Sequence, residues 1–218
     1  MISRTGQGKA LFWGIDLTCS PARPSACIGL DGELTLAFCR LLNDDAELVA
    51  AVEQHRPSLI AIDAPLNLPR GLCCLEPECP CRPRSAARGR SCERELARLG
   101  IPCYFTTKRS IIKPMVRRAI GLKAELAGRG YQVIEVYPYA TKVRLFGKPI
   151  PPKRRPLGLI FLRVHLAMLL PFLIPHLGAF NHDLCDGALA AYTAYLYRQG
   201  RAELIGQGEE GLICLPIP

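Results

Sequence analysis

Short apolar runs punctuated by Gly, Pro, Asn and Asp alternate along this chain with stretches where apolar residues recur every three to four positions. Lys9 to Leu17 reads as an apolar strand closing on an acid. Ala26 to Leu30 and Glu33 to Cys39 read as two short strands joined by Asp31-Gly32, a strong hairpin signal. From Asp44 to His55 the apolar positions Leu48, Val49, Ala51 and Val52 have helical spacing, with Asn43 as candidate cap. Ser58 to Asp63 is a strand stopped by Pro65. Helical patterns follow at Cys92 to Leu99 and about Ile111 to Gly128. Gln132 to Tyr137 is a strand stopped by Pro138. Leu157 to Leu170 and the Ala-rich Asp183 to Arg198 are helices, the latter with Asn181 or His182 near its start. Gly211 to Pro218 is a last apolar piece.

Three strands in a meander, then helices alternating with single strands, predict an α/β protein with a mixed sheet flanked by helices. Between the strand at Ser58 and the helix at Cys92 lies a Cys-, Pro- and Arg-rich insertion, Gly71 to Arg90. The chain is otherwise free of repeats and long linkers, so residues 1–218 are expected to form one domain, with the insertion and Cys92 (71–92) inside it. Gly6-Gln7-Gly8 precedes a strand rather than a helix, so it does not match a phosphate-binding fingerprint.

With 218 residues, 49% hydrophobic and 22% charged, the chain has the makings of a sizeable core, and disorder, collagen and coiled coil are disfavoured. The net charge of +9 is local: Arg70 to Arg118 holds twelve Lys/Arg against four Asp/Glu, and the rest of the chain is nearly balanced. A basic stretch suits a phosphate-backbone binder, or equally a solvated loop that maintains solubility. The most apolar stretch, Leu157 to Phe180, is interrupted by Arg163, His165, Pro171, Pro175 and His176. It reads as a buried helix with a proline break rather than a membrane span, which needs about 20 mostly apolar residues. The opening residues show no signal-peptide pattern, so a cytoplasmic protein is expected, and its 11 Cys are not read as a disulfide framework.

Candidate chemistry lies where strands end. Asp16 closes WGID, Asp63 closes LIAID and Glu135 sits in VIEVYP. A carboxylate there is costly unless it meets water, a donor or a cation, and open α/β sheets bind ligands beyond those strand ends. Asp183 and Asp186, three apart at the start of the last helix, share one face. Singly, each acid has a structural explanation: a helix N-terminus for Asp183 and Asp186, turn amides for Asp16 and Asp63, an Arg partner for Glu135. Jointly they suit two Mg²⁺ or Mn²⁺ ions, hard cations that take oxygen ligands and stabilise the anionic transition state of phosphodiester cleavage.

The pieces WGIDLT, LIAIDAPLNLP, CERELARLGIP, VIEVYPYATKVRLFG and HDLCDGALAAYTA, taken in order, resemble the domain-of-unknown-function family 429, predicted nucleases with a ribonuclease H-like fold. The resemblance implies a metal-dependent phosphodiesterase and carries over to Asp16, Asp63, Glu135, Asp183 and Asp186. His182, beside Asp183, is a candidate to orient water or shuttle a proton, or a surface residue near the helix cap.

Nucleic acid is the expected partner. Arg90, Arg94 and Arg98 recur every four residues and would share a helical face toward phosphates, unless Glu93 and Glu95 pair with them. Lys108, Arg109 and Lys113 form a second basic group beside Tyr104 and Phe105, aromatic residues suited to base stacking or to the core. In the insertion, Cys74, Cys79, Cys81 and Cys92 offer four soft ligands for a structural Zn²⁺; an iron–sulfur cluster or a metal-free loop are the alternatives. Cys19, Cys27, Cys39, Cys185 and Cys214 read as small buried hydrophobes. Two further readings compete with a nuclease. One is a non-catalytic nucleic-acid-binding protein on a nuclease scaffold. The other is an actin-like ATPase, disfavoured by the lack of glycine-rich phosphate loops and of a duplicated domain.

Overall fold

The central strand β1 (Leu11–Asp16) is apolar at nearly every position because both its faces are covered. The computed structural model describes residues 10–20 and 23–218; Gly6-Gln7-Gly8 and the expected strand start at Lys9 lie outside them. β1 pairs antiparallel with β2 (Ser25–Asp31), which pairs antiparallel with β3 (Leu36–Leu42). On its other side β1 pairs parallel with β4 (Leu59–Ile62), and β5 (Val133–Val136) continues in parallel. The mixed sheet has seven strands in the order β3-β2-β1-β4-β5-β7-β6, ending in β7 (Gly211–Pro216) and β6 (Ala202–Gln207).

Alternation along β1 and β4 divides the core. Trp13, Ile15, Ile60 and Ile62 face α1 (Asp45–His55) and α3 (Lys113–Gly128). Phe12, Leu59 and Ala61 face α7 (His182–Arg198) through Ala190 and Ala194. Helix α7 lies unusually close. A Cβ on Gly14 would stand 2.0 Å from the Gly187 carbonyl oxygen and 2.2 Å from the Ala191 nitrogen, so only glycine fits there. This contact places the first turns of α7 beside the carboxyl end of β1.

Local signals account for most boundaries. Asn181 caps α7, its Oδ1 accepting from the Leu184 amide at 2.8 Å. The cap of α1 is Asp44, which accepts from the Glu47 amide, while the expected cap Asn43 donates to the Glu47 carboxylate instead. The Asp31-Gly32 hairpin is longer than expected. The Asp31 carboxylate accepts from the amides of Glu33 and Thr35 and from the Thr35 hydroxyl, and β3 starts at Leu36 rather than Glu33.

Two elements have no counterpart in the pattern. α4 (Pro138–Phe146) begins at the proline that reads as a strand stop, because proline also suits the first turn of a helix. β6 is an edge strand of mixed polarity. Helix α2 (Ser91–Arg98) packs against β6 and β7. The apolar α5 (Pro156–Leu169) departs from the expected buried helix. It buries the stripe Gly158, Leu162 and Leu166 and exposes Leu157, Ile160, Val164 and Met168, followed by the short α6 (Ile174–Leu177). Among the described residues no helix is long and apolar enough to cross a membrane.

Candidate active site

The ladder between β1 and β4 brings Asp16 and Asp63 side by side. Ile15 pairs with Ile62, and the Asp63 amide donates to the Ile15 carbonyl at 2.9 Å. Since Ile15 and Ile62 face α1 and α3, the next residues, Asp16 and Asp63, turn to the α7 side. There the first turns of α7 supply Asp183, half-exposed, and Asp186, buried.

Two lysines share this acidic face. Lys142 of α4 is buried and donates to Asp186 Oδ1 at 2.8 Å. Lys153, from the segment between α4 and α5, reaches Asp186 Oδ2 at 2.6 Å and lies 3.8 Å from Asp183. Its side chain is 51% exposed, so it approaches from the solvent side.

The electrostatics separate the acids. Burial raises the Asp186 carboxyl, but Lys142 and Lys153 outweigh it and hold the group below the ordinary range. Among the described residues Asp63 has no such salt bridge; burial, then the Asp186 charge, push it up to about 7, with Lys153 and Lys142 opposing. Asp16 is raised well above the usual range by burial and by Asp63 and Asp186. Nearby His182 is shifted down by burial and Lys153, and its buried Nδ1 has no hydrogen-bond partner among the described residues.

Carboxylates gathered on one buried face, two of them raised first by burial and then by the charge of their neighbours, have the oxygen chemistry of a hard divalent cation site. Asp16, Asp63, Asp183 and Asp186 are the residues that would hold it.

Glu135 is not among them. It pairs in register with Ile62, so its side chain turns to the opposite face of the sheet from Asp16 and Asp63. Arg90 grips it with Nη1 to Oε2 at 2.7 Å and Nη2 to Oε1 at 2.6 Å, and the Leu66 amide donates to Oε2 at 2.7 Å. Burial of the ion pair with a complete hydrogen-bond set leaves this carboxylate no need of a cation.

The same contacts remove Arg90 from any phosphate surface. It is 1% exposed, caps α2 and also binds Glu93 through Nε at 2.8 Å. Arg94, half-buried, donates to the Gly89 carbonyl at 2.7 Å, and only Arg98 is fully on the surface. Residues four apart share a helical face, but the start of α2 is sunk in the protein, so this face runs from interior to solvent. Glu93 takes the pairing role, whereas Glu95 accepts from the Gly206 amide.

Lys108, Arg109, Arg82 and Arg88 instead line an open groove of about 840 Å³ with Thr106 and Thr107. Lys113 lies at the start of α3, on a smaller cavity with Cys73 and Cys74. Phe105 lies under the Arg88 guanidinium, 5.1 Å from ring centroid, and Tyr104 is 64% exposed on a cavity that Asp63 also lines.

Cys92 is buried beside Leu96 and Ile101, away from the cysteines of the insertion; the thiols that gather are Cys73, Cys74, Cys79 and Cys81. Cys27, Cys185 and Cys214 are buried as expected, but Cys19 and Cys39 are exposed.

Lys142 has no signal in the sequence, because it falls in a helix whose start reads as a strand stop. Lys153 reads only as one of the basic residues Lys153-Arg154-Arg155 after three prolines, with nothing to link it to Asp186.

A three-strand meander, a parallel continuation through β4 and β5, and acids gathered at the strand ends beneath the last long helix define an α/β protein with a seven-stranded mixed sheet flanked by helices. The chain belongs to the family described as Protein of unknown function (DUF429), which it matches over residues 14–211. Among solved structures it is similar to one titled Thermus thermophilus RuvC structure, at 12% identity and a TM-score of 0.49, covering 87% of this chain and 96% of that one. No curated protein matches.

Proposed function

We propose that this protein is a divalent-metal-dependent nuclease, hydrolysing phosphodiester bonds with Mg²⁺ or Mn²⁺ held by Asp16, Asp63, Asp183 and Asp186. The observation that carries the reading is the convergence of these four acids on one face at the strand ends, with Asp16 and Asp63 both resisting ionisation. Bound there, the metal supplies charge stabilisation at the reacting phosphate and lowers the pKa of water. Lys142 fixes the orientation of Asp186 from below. His182, whose Nδ1 has no partner among the described residues, would take or give a proton. The groove lined by Arg82, Arg88, Lys108 and Arg109 would bind the phosphate backbone, and exposed Tyr104 would stack a base.

A second reading has one observation in its favour. Lys153 already salt-bridges Asp186 and lies near Asp183, as in a site that has exchanged its cation for an ammonium. This would be a non-catalytic nucleic-acid-binding protein.

Cleavage of a labelled panel of DNA and RNA substrates with Mg²⁺ or Mn²⁺ distinguishes the two. The nuclease reading expects metal-dependent cutting, lost in Asp16→Asn and Asp183→Asn. A gel shift without cutting favours the binding protein. Neither cutting nor binding removes nucleic acid as the substrate class.

A further inference from the structure

The insertion presents a problem of stability that the α/β core does not solve. Residues 63–90 contain no helix or strand, far more than the roughly 12–15 residues usual for an irregular loop. Its base is well held. Glu210, in the β6–β7 turn, accepts from the Arg70 amide at 3.0 Å and the Ser91 amide at 2.6 Å, so one buried carboxylate pins both ends. The Arg84 amide donates to the Arg70 carbonyl at 2.8 Å. Toward the tip this support ends. Of residues 71–88 only Leu75 is buried, too little apolar surface to order a segment of this length.

At that tip Cys73, Cys74, Cys79 and Cys81 turn their sulfurs inward, all four within 4.8 Å of one another, with Cys73 Sγ and Cys79 Sγ 3.6 Å apart. All are free thiols. A tetrahedral zinc tetrathiolate with Zn–S bonds of about 2.3 Å sets its sulfurs about 3.8 Å apart; the Cys73–Cys79 pair has that spacing, and the other sulfurs need to move by no more than about 1 Å to reach it. Two cations lie against the backbone of the cluster, which suits the negative charge of a tetrathiolate centre. Arg82 donates to the carbonyls of Cys79 and Cys81, and Lys108 Nζ to the Cys79 carbonyl at 2.5 Å.

We propose that Cys73, Cys74, Cys79 and Cys81 bind a structural Zn²⁺ that clips the tip of the insertion and so fixes the basic residues after it. Four soft ligands complete a tetrahedron and leave no open position, which assigns the ion a structural role. Binding releases the four thiol protons to solvent. The clip fixes the approach to Arg82, Arg84 and Arg88 whether or not the acidic face is catalytic.

The test uses the full chain, purified under reducing conditions. One zinc per chain is expected by elemental analysis, retained in Cys92→Ser and lost in a Cys79→Ser/Cys81→Ser double variant. Replacement by Co²⁺ should give the thiolate-to-metal charge-transfer and visible bands of a tetrahedral sulfur site. Chelation should speed tryptic cleavage after Arg84 and Arg88, with far-ultraviolet circular dichroism nearly unchanged. Wild-type protein that holds no zinc and gives no cobalt bands would overturn the assignment. So would an iron–sulfur chromophore with labile sulfide, or zinc retained by the double variant.

Discussion

Glu135 and Asp63 show how one position in a strand decides chemistry. Both are acids near the carboxyl end of an apolar strand, yet the register turns them to opposite faces. Asp63 joins the acidic cluster, and Glu135 enters a buried ion pair with Arg90. Removing one member of such a pair strands the other, so Arg90→Ala should cost about 3–5 kcal/mol in chemical denaturation. Asp63 has the opposite linkage. Its carboxyl is raised to about 7 when folded, so the native state binds more protons than the unfolded chain between about pH 4 and 7. Its contribution is therefore complete in acid and lost as pH rises through 7. A divalent cation would reverse that loss. Thermal unfolding should show a Mg²⁺-dependent rise in Tm that is larger at pH 8 than at pH 5, and abolished in Asp63→Asn. An equal rise at both pH values would contradict the linkage.

At the scale of elements, α7 is the hinge of the account because it carries two acids and packs on β1 at Gly14. Gly14→Ala forces a Cβ into the backbone of α7 and should lower Tm sharply or prevent folding, in contrast with Gly128→Ala, whose Cβ meets nothing. Asn181→Ala removes the cap and should cost about 1 kcal/mol, read by denaturant melts. Most of these elements were legible in the sequence because hydrophobic period and terminal residues agree. β1, β4, α1 and α7 have clear periods bounded by Pro, Asp or Asn. α4 was hidden because Pro138 ends one element and starts another. β6 was hidden because an edge strand needs no apolar alternation. The exposed side of α5 could not be foreseen either, since an all-round apolar helix does not announce which stripe it buries.

For the whole molecule, four of the five candidate acids, Asp16, Asp63, Asp183 and Asp186, come to one face, and Glu135 does not. The difference lies in register, which residue type and strand-end position do not reveal. Lys142 and Lys153 were equally out of reach, since their partner Asp186 is distant in sequence. The groove is long-range too, since it joins the insertion to Thr106–Arg109. Substituting Lys108 and Arg109 by Ala should weaken nucleic-acid binding and flatten its salt dependence, with a slope change of about one per lost phosphate contact. The central claim is that Asp16, Asp63, Asp183 and Asp186, and not Glu135, form the cation site. Mn²⁺ binding, followed by electron paramagnetic resonance on wild type, Asp16→Asn, Asp63→Asn and Glu135→Gln, tests it most directly. Saturable binding is expected in wild type and Glu135→Gln, lost or weakened at least tenfold in the two Asp variants. Binding lost only in Glu135→Gln, or absent from the wild type, would contradict it.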